Sequence, residues 1–390
     1  MQISNRIQHL EASQSLVMSA RAKAMKAAGI DVVSMSIGEP DFDTPEHVRR
    51  AAQEAIDNHW SHYGPVAGIL SLREAVSRQQ SVFSKPSGIA YDADDVIVSV
   101  GAKMAIFNAI QTALNPGDEV VIPVPCWVSY AEMVKLADGV VVPVETRFED
   151  NYCLTPGQLR AALTEKTRML ILCSPNNPTG SVYSHEQLKA LVEVLRDYPE
   201  VIVLSDEIYS ALTYGVEAVS MASFPELAER LIVINGVSKT YAMTGYRIGW
   251  LLCKNKEFIA ACSRLQGQQL TCATMVAQKA AEAALTGPQD CVETMRKTFA
   301  ERRELICRMA DGIPGFRFTR PQGAFYLFPD VSAIGSGDEV AERLLDKAHV
   351  AVVSGSAFGC PSCIRLSYAI SSGEIEEAMR RIKAVLSENV

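Results

Sequence analysis

Seven short runs of β-branched and other apolar residues recur through the middle of the chain: "VIVSV" (96–100), "EVVIPV" (119–124), "GVVVPV" (139–144), "MLILC" (169–173), "VIVLS" (201–205), "LIVING" (231–236) and "IGWLLC" (248–253). They are continuous rather than alternating, which is the pattern of strands covered on both faces. Helical segments separate most of them, among them 103–114, 128–137 and 185–196. Strand–helix–strand repetition predicts an α/β fold with a mostly parallel sheet and helices on both faces. The last link departs from this. Only eleven residues join "LIVING" to "IGWLLC", whereas a parallel crossover needs about a dozen or more. The seventh strand is therefore expected to run antiparallel to the sixth.

At 390 residues the chain exceeds a comfortable single core. Its flanks also read differently from the middle. They carry helical stretches over 15–28, 290–309, 338–347 and 372–386, with short strand-like runs such as "GAFYLFPD", "VAVVSG" and "CIRLSYA". We expect a large domain over 46–287 and a smaller α+β domain built from 1–45 and 288–390. A net charge of −8 argues against a nucleic-acid partner. No apolar run reaches the ~20 residues that span a bilayer. The opening "MQISNRIQHLEASQS" lacks the apolar core of a secretion signal, so a cytoplasmic protein is expected. Most of the ten cysteines read as small buried hydrophobes. Cys360 and Cys363, in "CPSC", form a CxxC, but no second CxxC or spaced His pair completes a metal set, and no metal is expected.

In such sheets ligands sit beyond the carboxyl ends of the strands. Those ends carry Gly101-Ala102-Lys103, Pro125-Cys126-Trp127, "SPNNP" (174–178), "DEIY" (206–209) and Ser238-Lys239. No G-x-G-x-x-G follows a strand, since "GSGDEV" lacks the third glycine, and there is no Walker A motif; a dinucleotide is therefore disfavoured. A cofactor with one phosphate fits better. "VSVGAKMAIFNAI" reads as a strand, a glycine turn and a helix whose first N–H groups can bind an anion. Ser238 and Arg247 could add a hydroxyl and a charge-assisted fork. Asp206 ends a buried run and needs a partner. A protonated heteroaromatic nitrogen would serve, and a pyridinium is an electron sink.

On these residues the chain resembles the class I pyridoxal-phosphate-dependent aminotransferases of the aspartate aminotransferase family. The motifs carrying the resemblance run almost end to end: "GEPDFDTPEH", "YGPVAGILSLREAV", "VGAKMAIFNA", "PCWVSYAEMV", "SPNNPTG", "SDEIY", "SKTYAMTGYRIGW", "GAFYLF" and "IRLSYA". The "GAK" and "WVSY" segments look most like the bacterial aspartate/prephenate branch. The resemblance implies a fold-type-I architecture with pyridoxal 5'-phosphate as cofactor. It implies Lys239 as the Schiff-base lysine, Asp206 at the ring nitrogen, and Asn177 and Tyr209 at the phenolic oxygen. Trp127 would stack on the ring, and Gly101, Ala102, Ser238 and Arg247 would hold the phosphate. Tyr63 would reach the phosphate of a partner subunit, which makes a homodimer the expected assembly.

For the substrate, the resemblance makes Arg365 the bidentate clamp for the α-carboxylate, joined by the backbone of Gly38, with Trp127 and Asn177 alongside. As an alternative, Arg365 could be an edge-strand charge in solvent. Lys103 stands where this branch binds a distal carboxylate, and Ser15 stands where it more often has threonine. Val124-Pro125 and Asn177-Pro178 match positions that are cis in the family. The expected activity is transfer of the amino group of aspartate, or a related dicarboxylic amino acid, to 2-oxoglutarate by a ping-pong mechanism. Aromatic, prephenate and alanine aminotransferases on the same scaffold are the alternatives.

Overall fold

The computed structural model describes residues 1–8, 10, 14–84 and 88–387; side chains of residues 6 and 14–16 are not among those described. All seven apolar runs form strands of one sheet: β1 (Val96–Val100), β2 (Glu119–Val124), β3 (Val140–Glu145), β4 (Thr167–Cys173), β5 (Ile202–Asp206), β6 (Leu231–Gly236) and β7 (Ile248–Leu252). Their spatial order is β1-β7-β6-β5-β4-β2-β3. Only β7 runs against its neighbours, pairing antiparallel with both β6 and β1, while the other pairings are parallel. The short link therefore inserts β7 between β6 and β1. That placement was not legible from connection length alone.

One apolar cluster packs on each face of the sheet. Val98, Leu170 and Val233 belong to one cluster, and Ile97, Ile171 and Ile234 to the other. This is why the runs do not alternate: successive side chains point to opposite faces, and both faces are buried. The helices Glu46–Asp57, Leu70–Ser84, Lys256–Gln269 and Met275–Thr286 complete the covering layers. No helix among the described residues is long and apolar enough to cross a membrane.

A separate core gathers Phe299 and Ile306 of the helix Asp290–Ala310 with Leu327, Ile364, Leu366 and Met379. The amino-terminal segment joins it: Val33 pairs with Val350, and Met35 is fully buried. Ile208, Tyr209 and Leu212, just past β5, contribute to this core as well. The segment "GEPDFD" is tied down by Arg302, whose two terminal nitrogens meet both Asp41 oxygens at 2.6 and 2.8 Å.

The sheet approaches its neighbouring helix at glycines. A Cβ on Gly249 of β7 would lie 2.3 Å from the Ala102 backbone nitrogen, at the start of the helix Gly101–Ala113. Gly249→Ala is expected to push that helix start away and to destabilise the protein by about 1–3 kcal/mol. Urea unfolding checks this; an unchanged midpoint would show that the contact relaxes freely.

Candidate active site

The carboxyl ends of β1, β2, β4, β5 and β6 open into a cavity of about 410 Å³. Ala102, Lys103, Trp127, Asn177, Asp206 and Tyr209 line it, and the β6–β7 connection adds Ser238, Lys239 and Arg247. Gly38 and Arg365 reach it from the segments that build the second core. Two larger cavities exist, of about 660 and 870 Å³; the second touches the end of β6 at Asn235 and Gly236, but neither is lined by Asp206, Lys239 or Arg365.

Asp206 is the last residue of the central strand β5 and is 3% exposed. Its carboxylate accepts the Tyr130 hydroxyl at 2.6 Å and the Ile208 N–H at 3.2 Å. Burial raises its pKa to about 6, with the Tyr130 and Ile208 hydrogen bonds opposing the rise. The adjacent Glu207 faces elsewhere, onto the Ser205 and Ser220 hydroxyls and the Met221 N–H. Two neighbouring carboxylates thus separate into a site group and a structural one.

Lys239 sits on the one-turn helix Val237–Thr240. Its amine donates to the Gly38 carbonyl at 2.6 Å. Burial draws its pKa down to about 8, Arg365 and Arg247 pull the same way, and Glu39 and Asp206 oppose. The segment 38–44 lies across this connection: Thr244 bonds the Glu39 carboxylate, and the Thr44 hydroxyl bonds the Ala242 carbonyl at 2.8 Å.

Gly101 has φ +79°, and a Cβ there would lie 2.6 Å from Arg247 Nη2. The left-handed conformation therefore demands glycine, and a side chain there would also displace the Arg247 guanidinium. The helix it opens, Gly101–Ala113, has no side-chain N-cap, which leaves its first N–H groups for a ligand. Arg247 lies close against this turn and is steadied by the Thr244 carbonyl at 2.9 Å. Ser238 is buried nearby. Trp127 is half-buried, with the Lys103 ammonium 4.8 Å from its ring centroid. Partial burial and Arg247 lower the Lys103 pKa.

Arg365 is not a solvent-facing edge charge. It is 3% exposed, on the middle strand of a three-stranded sheet. One Nη donates to Asn177 Oδ1 at 3.0 Å and the other to the Ser36 carbonyl at 2.7 Å. The Tyr326 and Phe358 rings flank the guanidinium at 4.5 and 4.9 Å. Its buried Nε has no hydrogen-bond partner, a feature that calls for a ligand. Tyr63 is elsewhere, 89% exposed. Ser15 is on the helix Gln14–Ala27, but its side chain lies outside the described residues. Both expected cis bonds are present, together with an unanticipated one at Ser174-Pro175.

Sequence reasoning passed over two residues of the site. Tyr130 supports Asp206 and packs edge-on against Trp127 at 5.3 Å. Its signal was the spacing W-x-x-Y at a helix start. Tyr326 bonds the Tyr209 hydroxyl at 2.9 Å, and its own oxygen lies where a Cβ on Gly38 would clash.

Because the folded pKa of Asp206 is raised, its ionisation opposes folding. The penalty is full above about pH 6 and is gone below the ordinary value of 3.8. Cofactor-free Asp206→Asn is therefore expected to exceed the parent in stability by about 2–3 kcal/mol at pH 8. The gain should vanish as pH falls toward 4. Denaturant unfolding at several pH values checks this, and a pH-independent difference would contradict the assigned cause.

Comparison with known proteins agrees with this geometry. The family model for aminotransferase class I and II matches residues 30–382. An aspartate aminotransferase of Bacillus sp. (strain YM-2) is 44% identical, covering 97% of this chain and 98% of the relative. An aspartate/prephenate aminotransferase of Nitrosomonas europaea is 39% identical over 99% of this chain and 100% of its own. Among solved structures, the aspartate aminotransferase of Rhizobium meliloti superposes with a TM-score of 0.95 at 38% identity, covering 99% of each chain. That of Thermus thermophilus, solved with maleate, gives 0.94 at 40% identity over 99% of this chain and 100% of its own. Fold, site and relatives converge: the chain belongs to the class I and II aminotransferases.

Proposed function

We propose that this protein is a pyridoxal-5'-phosphate-dependent aminotransferase. It moves the amino group of aspartate, or a related dicarboxylic amino acid, to 2-oxoglutarate in two alternating half-reactions. The observation that carries the reading is the Lys239 amine, depressed to about 8, in one cavity with the buried Asp206 carboxylate and two guanidinium groups.

The residues present fit the cofactor. A buried carboxylate raised to about 6 calls for a cationic partner such as a pyridinium. The uncapped helix start at Gly101 and Ala102, with Ser238 and Arg247, suits a phosphate dianion. Trp127 offers a ring face. Tyr209 and the Asn177 amide N–H₂ would meet the phenolic oxygen, since Asn177 already gives its carbonyl to Arg365. When bound, pyridoxal phosphate supplies the electron sink that lets the substrate Cα–H bond break.

The chain's own residues do the rest. Arg365 and the Gly38 N–H bind the α-carboxylate, and the orphaned Arg365 Nε gains a partner. Lys239 can hold or release a proton near neutral pH, so it carries the proton from the substrate Cα. Lys103, at the cavity wall beside Trp127, receives the distal carboxylate, and Ser15 is assigned to the same carboxylate. The small domain, 1–45 with 288–390, moves against the large domain over 46–287 to exclude water. We assign Tyr63, exposed on one chain, to the phosphate of a second copy in a homodimer. The Thermus thermophilus enzyme was solved with maleate, a dicarboxylate, which supports the substrate class.

Single-turnover rates with aspartate, glutamate, alanine, phenylalanine and the prephenate-derived amino acid test the substrate. Lys103→Ala is expected to lower the rate with aspartate by about tenfold or more while sparing alanine, because one charge-assisted hydrogen bond is lost. An equal loss for both would remove Lys103 from the distal site.

A further inference from the structure

Cys360 and Cys363 take no part in amino-group transfer, yet the fold holds them together. The Cys363 N–H donates to the Cys360 carbonyl at 3.1 Å, so "CPSC" closes a β-turn. Such a turn keeps its end Cα atoms within about 7 Å, the reach of a disulfide. The sulfurs are 3.3 Å apart, and the Ser362 hydroxyl is 3.8 Å from each.

This closeness is imposed by the backbone. The Gly355 N–H donates to the Cys363 carbonyl at 2.7 Å, and the Cys360 N–H donates to the Gly355 carbonyl at 2.9 Å. The Gly337 and Val331 N–H groups hold the Pro361 and Ser362 carbonyls at 2.7 and 2.8 Å. A Cβ on Gly337 or Gly355 would come within 2.1 Å of the Cys363 or Cys360 carbonyl oxygen, respectively. The turn is thus encased on both sides. No group of three or more His, Cys, Asp or Glu among the described residues could hold a metal ion, which leaves thiol chemistry.

The two sulfurs differ in access. Cys360 is half-buried and Cys363 is 1% exposed. The hydrogen bond shared with Cys363 pulls the Cys360 thiol down to about 7, against burial and the nearby Asp330 and Glu145. The same sharing, with burial, pushes Cys363 up. An attacking thiol works best with a pKa near the ambient pH.

We propose that Cys360 and Cys363 form a thiol–disulfide exchange site for small-molecule disulfides such as oxidised glutathione. The Cys360 thiolate attacks one sulfur of the disulfide, forming a mixed disulfide and expelling one glutathione thiolate. Cys363 passes its proton to the expelled glutathione thiolate and attacks Cys360 Sγ, which closes the internal disulfide and releases the second glutathione as a thiolate that takes up from solvent the proton Cys360 had lost. Two protein thiols are oxidised and one glutathione disulfide is reduced to two thiols. The site adjoins the substrate clamp. Arg365 follows Cys363 by two residues, and Phe358 both flanks its guanidinium at 4.9 Å and accepts the Cys126 N–H, beside Trp127, at 3.0 Å.

Cofactor-loaded protein treated with oxidised glutathione at pH 7, quenched and peptide-mapped, tests the proposal. The expected product is one internal disulfide joining Cys360 and Cys363, reversed by dithiothreitol. In Cys363→Ser, glutathione is expected to accumulate on Cys360 about tenfold faster than on Cys272 or Cys291, the other two half-buried cysteines. The proposal is overturned if both thiols stay reduced while Cys272 or Cys291 reacts. It is equally overturned if the Cys360 adduct persists unresolved in the parent protein. The parent map decides even if the variant fails to fold. Because the readout is thiol chemistry, either result leaves the aminotransferase reading standing.

Discussion

A carboxylate buried at the carboxyl end of the central strand organises this site. Asp206 makes no ion pair among the described residues, and is held only by the Tyr130 hydroxyl and the Ile208 N–H. Burying an uncompensated charge is expensive, so the fold keeps a group that opposes its own stability. Such a group persists where function requires it. Lys239 is the counterpart, a cation desolvated beside two arginines until its amine can titrate near neutral pH. A third group, cationic toward Asp206 and reactive toward Lys239, would answer both perturbations at once.

The β6–β7 connection makes this arrangement possible. Eleven residues leave no room for a crossover helix, so the chain turns back as the antiparallel strand β7 and stays at the functional end of the sheet. Lys239 and Arg247 stand on that link. Gly101, at φ +79°, gives Arg247 space beside an uncapped helix start, and Gly249 lets the helix backbone approach β7. One short link therefore places a reactive amine and an anion-binding guanidinium without a long loop.

The central fold was legible because burial on both faces writes itself as continuous apolar runs. The antiparallel seventh strand was legible from its connection length. Its insertion between β1 and β6 was not, because lateral strand order depends on packing between distant segments. The site residues at strand ends were legible because strand ends are where such sheets bind ligands. Tyr130 was missed because its bond to Asp206 spans 76 positions of sequence. Arg302 was missed for a similar reason, since its fork onto Asp41 spans 261. Arg365 could have been a solvent charge by pattern alone. Its place on a middle strand, with Asn177, Ser36 and two rings around it, removes that option.

Everything proposed for this cavity depends on its carrying pyridoxal phosphate on Lys239. Purified protein reconstituted with pyridoxal phosphate should be reduced with borohydride, which traps a lysine-bound cofactor as a stable secondary amine, and then peptide-mapped. One phosphopyridoxyl group, on Lys239, is the expected outcome. A label on another lysine, or an unlabelled protein after saturation with the cofactor, would contradict it.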